Sequence, residues 1–151
     1  MVKLLQYQVR LIALWSAFLL GLLFHTQLAL MPLFHGVSVA NSHTHEHLQL
    51  IYIFWMMLIF YAIPMFIIAV TPFLRFHRGN LIHFGITVVY SVLNILHFGL
   101  DIVVQVPSYQ LALMLMLVGI GLAINWTTWR WMKGHSEGSM KRLLGEMSGG
   151  G

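Results

Sequence analysis

Residues 81–104 read LIHFGITVVYSVLNILHFGLDIVV, and the placement of polar side chains in that stretch decides how the chain folds. They fall at His83, Thr87, Tyr90, Asn94, His97 and Asp101, in steps of four, three, four, three and four. At about 100° per residue this spacing keeps all six within roughly 40° of one direction, so they form a single seam along a helix. Ile86, Val89, Val92, Ile95, Leu96 and Val103 occupy the other faces. An ionisable group facing lipid is expensive, so a seam of this kind in a membrane helix points into protein or a water-filled cavity.

The composition around the seam is that of a membrane protein. Of 151 residues, 59% are hydrophobic and 8% charged, with mean hydropathy +0.82, which excludes an ordinary soluble domain. Four continuous apolar runs, about 11–33, 48–74, 81–104 and 109–132, reach the length a helix needs to cross a bilayer. Continuous rather than alternating runs favour helices over a barrel. The expected fold is therefore an all-α, antiparallel up-down, four-helix bundle in the membrane over residues 1–133. Residues 134–151 are polar and glycine-rich, and are expected to be a flexible cytoplasmic tail ending in a linker-like Ser148-Gly149-Gly150-Gly151.

Charge orients the bundle. The eight Lys and Arg lie at Lys3 and Arg10, at Arg75 and Arg78 between runs two and three, and after run four at Arg130, Lys133, Lys141 and Arg142. The other two connections have none. The positive-inside rule then places both termini and the middle loop in the cytoplasm, with the His-rich loop 34–47 and the loop 105–108 outside. The net charge of +4 reports topology, and no basic patch with interleaved aromatics suggests nucleic acid. Lys3, Arg10 and the small residues Ser38-Val39-Ala40 imitate a secretion signal, but the apolar run between them exceeds a signal core.

The chain has no cysteine, so any metal must be held by His, Asp, Glu or Met. Counting about 1.5 Å per residue from each helix end, His25 on run one and His97 on run three lie at one depth, with Asp101 one turn further out. His43 and His47 begin run two at that level, on one face at i, i+4. These five are the candidate metal ligands, with His35, His45 and Glu46 in reserve. Imidazole with carboxylate suits copper, iron or zinc rather than magnesium or calcium. The His-x-His-x-His string alone is weak evidence, because short His tracts bind metal adventitiously.

A second reading uses His83 and His97, fourteen residues apart on one face and thus about 21 Å apart along the axis. This pair, with the helix count, resembles four-helix membrane cytochromes that bind two b-type haems. The resemblance implies haem b as cofactor, ligated through His97 with His25, and through His83, for which the membrane part of the other runs holds no second ligand. A third reading makes His83, Thr87, Tyr90, Asn94 and His97, with Asn125 near the depth of His83, a proton path or polar packing between helices. Met114 and Met116 are thioether candidates but read more simply as packing residues.

The functional expectation is an integral membrane metalloprotein with a His/Asp site near the outer face, serving redox or electron-transfer chemistry, as a membrane oxidoreductase or a subunit of one. Its expected partners are the lipid bilayer, other membrane subunits or further copies of the chain, and a quinone or an external electron-transfer protein. The haem cytochrome, a small accessory subunit and a metal or proton transporter are the alternatives. No catalytic triad, P-loop or His-Glu-x-x-His motif is present.

Overall fold

The computed structural model describes residues 2–36, 47–73 and 77–148. They form four helices: α1, Val2–Phe34; α2, His47–Val70, prolonged by a 3₁₀ turn at Thr71–Phe73; α3, His77–Val103; and α4, Ser108–Ser148. No strand occurs among the described residues. Each helix contains a stretch long and apolar enough to span a membrane: Leu5–Phe34, Phe54–Phe73, Leu81–Val103 and Ser108–Lys133. The protein is thus an all-helical, multi-pass membrane bundle.

Its polarity is inverted relative to a soluble domain. On α3 the seam residues His83, Thr87, Tyr90, Asn94 and Asp101 are buried, while Val89, Val92, Ile95 and Leu96 are exposed. Apolar side chains outward and polar ones inward is the arrangement that lipid, unlike water, favours.

α4 is the hub. Both α3 and α1 pack closely along it, and α2 attaches to α1. On α1 the residues Leu11, Trp15, Phe18 and Leu22, spaced four, three and four, form a buried stripe that meets Met114, Leu117, Ile124 and Trp131 of α4 in one core. Gly21 permits the approach of α1 to α4, since a Cβ there would stand 2.5 Å from Cδ2 of Leu117. Of the glycine pair on α4, Gly121 lies against α3, where a Cβ would meet the Ser91 hydroxyl at 3.2 Å, whereas Gly119 has nothing within 4 Å.

Two elements differ from expectation. The short loop between runs two and three predicts close antiparallel neighbours, yet α2 and α3 stand apart around an open apolar groove of about 700 Å³ lined by Ile63, Phe66, Ile82, Gly85 and Val89. Tyr90 bridges it, its ring stacked on Phe60 at 4.9 Å and its hydroxyl donating to the Phe60 carbonyl at 2.8 Å. That carbonyl is free because Pro64, four residues on inside α2, has no N–H to bond it. The second difference is the tail: α4 continues past Met132 to Ser148 rather than loosening after residue 133. Its 41 residues extend about 60 Å, twice the apolar thickness of a bilayer. No proline interrupts residues 132–148, and their scattered glycines weaken a helix without breaking it.

Helix ends near the seam are capped. Gln105 adopts φ 57°, Gln105 N–H bonds the Ile102 carbonyl at 3.2 Å, and Val106 N–H bonds the Asp101 carbonyl at 3.1 Å. This is a Schellman motif, and it anchors the backbone of Asp101 at the end of α3. α1 closes with Gly36 at φ 72°, its N–H on the Leu33 carbonyl at 3.1 Å.

Candidate metal centre

The structure brings His25 of α1 together with His97 and Asp101 of α3. His25 Nε2 lies 3.6 Å from Asp101 Oδ2, and His97 Nε2 lies 3.7 Å from Asp101 Oδ1. The two imidazoles meet edge to face with centroids 5.5 Å apart, and one ligand atom from each residue falls within 4.8 Å of the others. His25 and Asp101 are buried, whereas 53% of the His97 side chain is exposed. The group therefore sits at the edge of the bundle, closed on the α1 side and open past His97.

The two nitrogen–oxygen distances are long for direct hydrogen bonds and leave room for a shared ion. Both nitrogen–oxygen separations exceed the roughly 2.7–3.2 Å of a hydrogen bond. Two ligands held about 2.1 Å from one tetrahedral ion stand about 3.4 Å apart, close to what is observed. His25 Nδ1 and Asp101 Oδ2 are buried without a hydrogen bond among the described residues, so the carboxylate oxygen facing His25 could accept a cation. The donor set, two imidazole nitrogens and a carboxylate, fits a transition metal and leaves coordination positions open.

Of the other candidate ligands, His43, His45 and Glu46 lie outside the described residues, as does the side chain of His47. His35 is exposed in the turn after α1, ten residues beyond His25 and about 15 Å from it along the axis. Met114 is fully buried and Met116 exposed, so these two do not share a site.

The far end of the seam is built differently. His83 is 3% exposed, its Nε2 accepting the Trp15 indole N–H at 3.1 Å. Trp131 approaches the same imidazole edge-on at 6.2 Å. A nitrogen that accepts an N–H carries no proton, so the ring proton sits on Nδ1, which has no hydrogen-bond partner among the described residues. Asn125, expected near His83, instead donates to the Ser91 hydroxyl at 2.8 Å, eight residues or about 12 Å along α3 from His83. Thr87 donates back to the Phe84 carbonyl at 2.8 Å. Asn94 is 2% exposed and both its amide atoms lack a partner among the described residues.

Two participants are not visible in the seam's spacing. Trp15 looks like a core residue, which it also is, and its N–H gives no periodic signal. Ser91 lies about 80° around α3 from His83, off the seam. A small hydroxyl between Tyr90 and Val92 of an apolar helix is the only cue to it. No protein-family model, curated protein or solved structure matches the chain, so its function is read from the geometry of these side chains.

Proposed function

We propose that the protein is a membrane metalloprotein in which His25, His97 and Asp101 hold one transition metal, iron, copper or zinc, near the outer face of the bundle for redox or electron-transfer chemistry. One observation carries this: two histidine nitrogens, from two helices, lie 3.6 and 3.7 Å from the two oxygens of one buried carboxylate. Two histidines and a carboxylate with open positions are also the donor set of non-haem iron(II) sites. Ionisable residues inside a membrane are retained for function, and the cap at Gln105 anchors the ligand-bearing turn. Positive charge confined to the termini and the middle loop supports cytoplasmic ends and an outer position for the cluster. A quinone or an external electron-transfer protein is the partner class that goes with this reading.

The same geometry favours a bare ion over haem. Iron bound between His25 and His97 requires its porphyrin to pass between the two imidazoles. The Asp101 carboxylate stands there, within 3.7 Å of a nitrogen of each ring. At the other end, the Nε2 of His83 is engaged by Trp15.

The test is metal analysis with a visible spectrum on purified protein. One metal ion per chain and no Soret band are expected. Asp101→Asn, which keeps the size of the side chain and removes its charge, should lower metal affinity at least tenfold, and His97→Ala should abolish stoichiometric binding. Protein that carries no metal after exposure to iron, copper and zinc, or that binds it equally well in both variants, overturns the reading.

A further inference from the structure

Asn94 provides an observation independent of the cluster. A primary amide has two N–H donors and an acceptor oxygen, and here all are buried with no partner among the described residues. Each such group left unbonded costs about 1–3 kcal/mol, and the membrane interior holds no bulk water to relieve it. Donors nearby on the same helices are engaged elsewhere, the Tyr90 hydroxyl on Phe60 and the Asn125 Nδ2 on Ser91, while Asn125 Oδ1, like Asn94, is buried without a partner among the described residues. Something small and polar belongs beside Asn94.

Its position indicates what. Asn94 is on the same face of α3 as His97 and Asp101, about 4.5 Å below His97 along the axis. All three side chains lean toward the N-terminus of the helix, so Asn94 stays about one turn from His97 on the N-terminal side of the cluster. Three protein ligands leave a bound ion with open positions, and Asn94 lies on the interior side of them. Its donors carry no charge, so they favour an electron-rich ligand atom without displacing the metal.

We infer that Asn94 and a metal held by His25, His97 and Asp101 together form a binding position for a small anion of two or three atoms. One end of the anion ligates the metal and the other accepts a hydrogen bond from Asn94 Nδ2. The inference rests on the metal reading above. It assigns that site a ligand class and gives Asn94 a positioning role.

Azide and Cu(II) are suitable probes. Detergent-purified protein is loaded with Cu(II), its copper content and electron paramagnetic resonance spectrum are recorded, and azide is then titrated through its charge-transfer absorption. Wild-type protein should bind azide. Asn94→Leu and Asn94→Ala should hold copper with an unchanged resonance spectrum but bind azide at least tenfold more weakly, the factor supplied by one hydrogen bond to a charged acceptor. The Leu variant also removes unbonded buried groups, so it should unfold no earlier than wild type, whereas a purely structural Asn94 would make it unfold earlier. Copper-loaded wild type that ignores azide, or either variant binding both copper and azide as wild type does, overturns the inference. Failure to load copper, iron or zinc shows at the first step, before azide is added, and removes the metal reading together with what rests on it.

Discussion

Trp15 and His83 show how one nitrogen of a buried histidine is engaged without a metal. The indole N–H donates to Nε2 at 3.1 Å, and the rings of Trp131 and Trp15 flank the imidazole at 6.2 and 6.4 Å. Trp15→Phe keeps most of the aromatic volume but strands the acceptor, so it should destabilise the bundle by about 1–3 kcal/mol. The double variant Trp15→Phe/His83→Leu, with neither polar partner, should recover most of that loss. SDS-induced unfolding in detergent measures both, and a neutral Trp15→Phe would show that the bond contributes nothing. His25 Nδ1 and Asp101 Oδ2, like His83 Nδ1, are buried without a partner among the described residues, but the nitrogen–oxygen contacts at that end are longer, 3.6 and 3.7 Å. The contrast separates the two ends of the seam more clearly than spacing can, since His83 and His97 occupy equivalent positions in the periodic pattern.

Among the elements, α2 reaches the core through Ile67, with Phe60, Tyr61 and Ile68 packed against it, and its polar attachments use backbone groups left free by a proline and by the helix end. Pro64 exposes the Phe60 carbonyl to Tyr90. At the end of the helix, Gln8 of α1 donates to the Thr71 carbonyl at 3.1 Å, one of the acceptors a helix C-terminus leaves unbonded. Tyr90→Phe should therefore cost about 1 kcal/mol in the wild-type background. In a Pro64→Ala background the substituted residue supplies an N–H to the same carbonyl, and the cost of Tyr90→Phe should shrink toward zero. A double-mutant cycle by unfolding isolates that coupling; additive effects would mean that Pro64 does not free the acceptor. The two prolines of this region, Pro64 and Pro72, are plain in the sequence. The tyrosine that exploits one of them is thirty residues from the carbonyl it bonds, and only the folded chain pairs them.

At the scale of the molecule, α1 and α3 pack on α4, α2 attaches to α1, and an apolar core and the polar seam are both enclosed behind exposed apolar side chains. The absence of cysteine makes its orientation directly measurable. Single cysteines replacing Ser38 and Ser148 should react differently with a membrane-impermeant maleimide in intact cells: Ser38→Cys labelled, Ser148→Cys labelled only after lysis. The reverse pattern would place the His25, His97 and Asp101 cluster on the cytoplasmic side. The aromatic and cationic side chains near Lys133 mark one boundary, with Lys133 Nζ 4.0 Å from the centre of the Trp129 ring and Arg130 over Trp126, as side chains at a lipid–water interface do.

Sequence alone determined the four spans, the seam on α3, whose residues other than His97 are buried, and the common depth of His25 and His97. Run length, helical period and rise per residue are local properties that do not depend on partners. Tertiary structure decided the rest. It set α2 along α1 instead of α3, bonded Trp15 to His83 and Asn125 to Ser91, carried α4 on to Ser148, and left Asn94 buried with no partner among the described residues. Each of these depends on how helices rotate and approach one another, and for chemically similar apolar faces in lipid that choice is made by packing detail at glycines, prolines and single polar atoms.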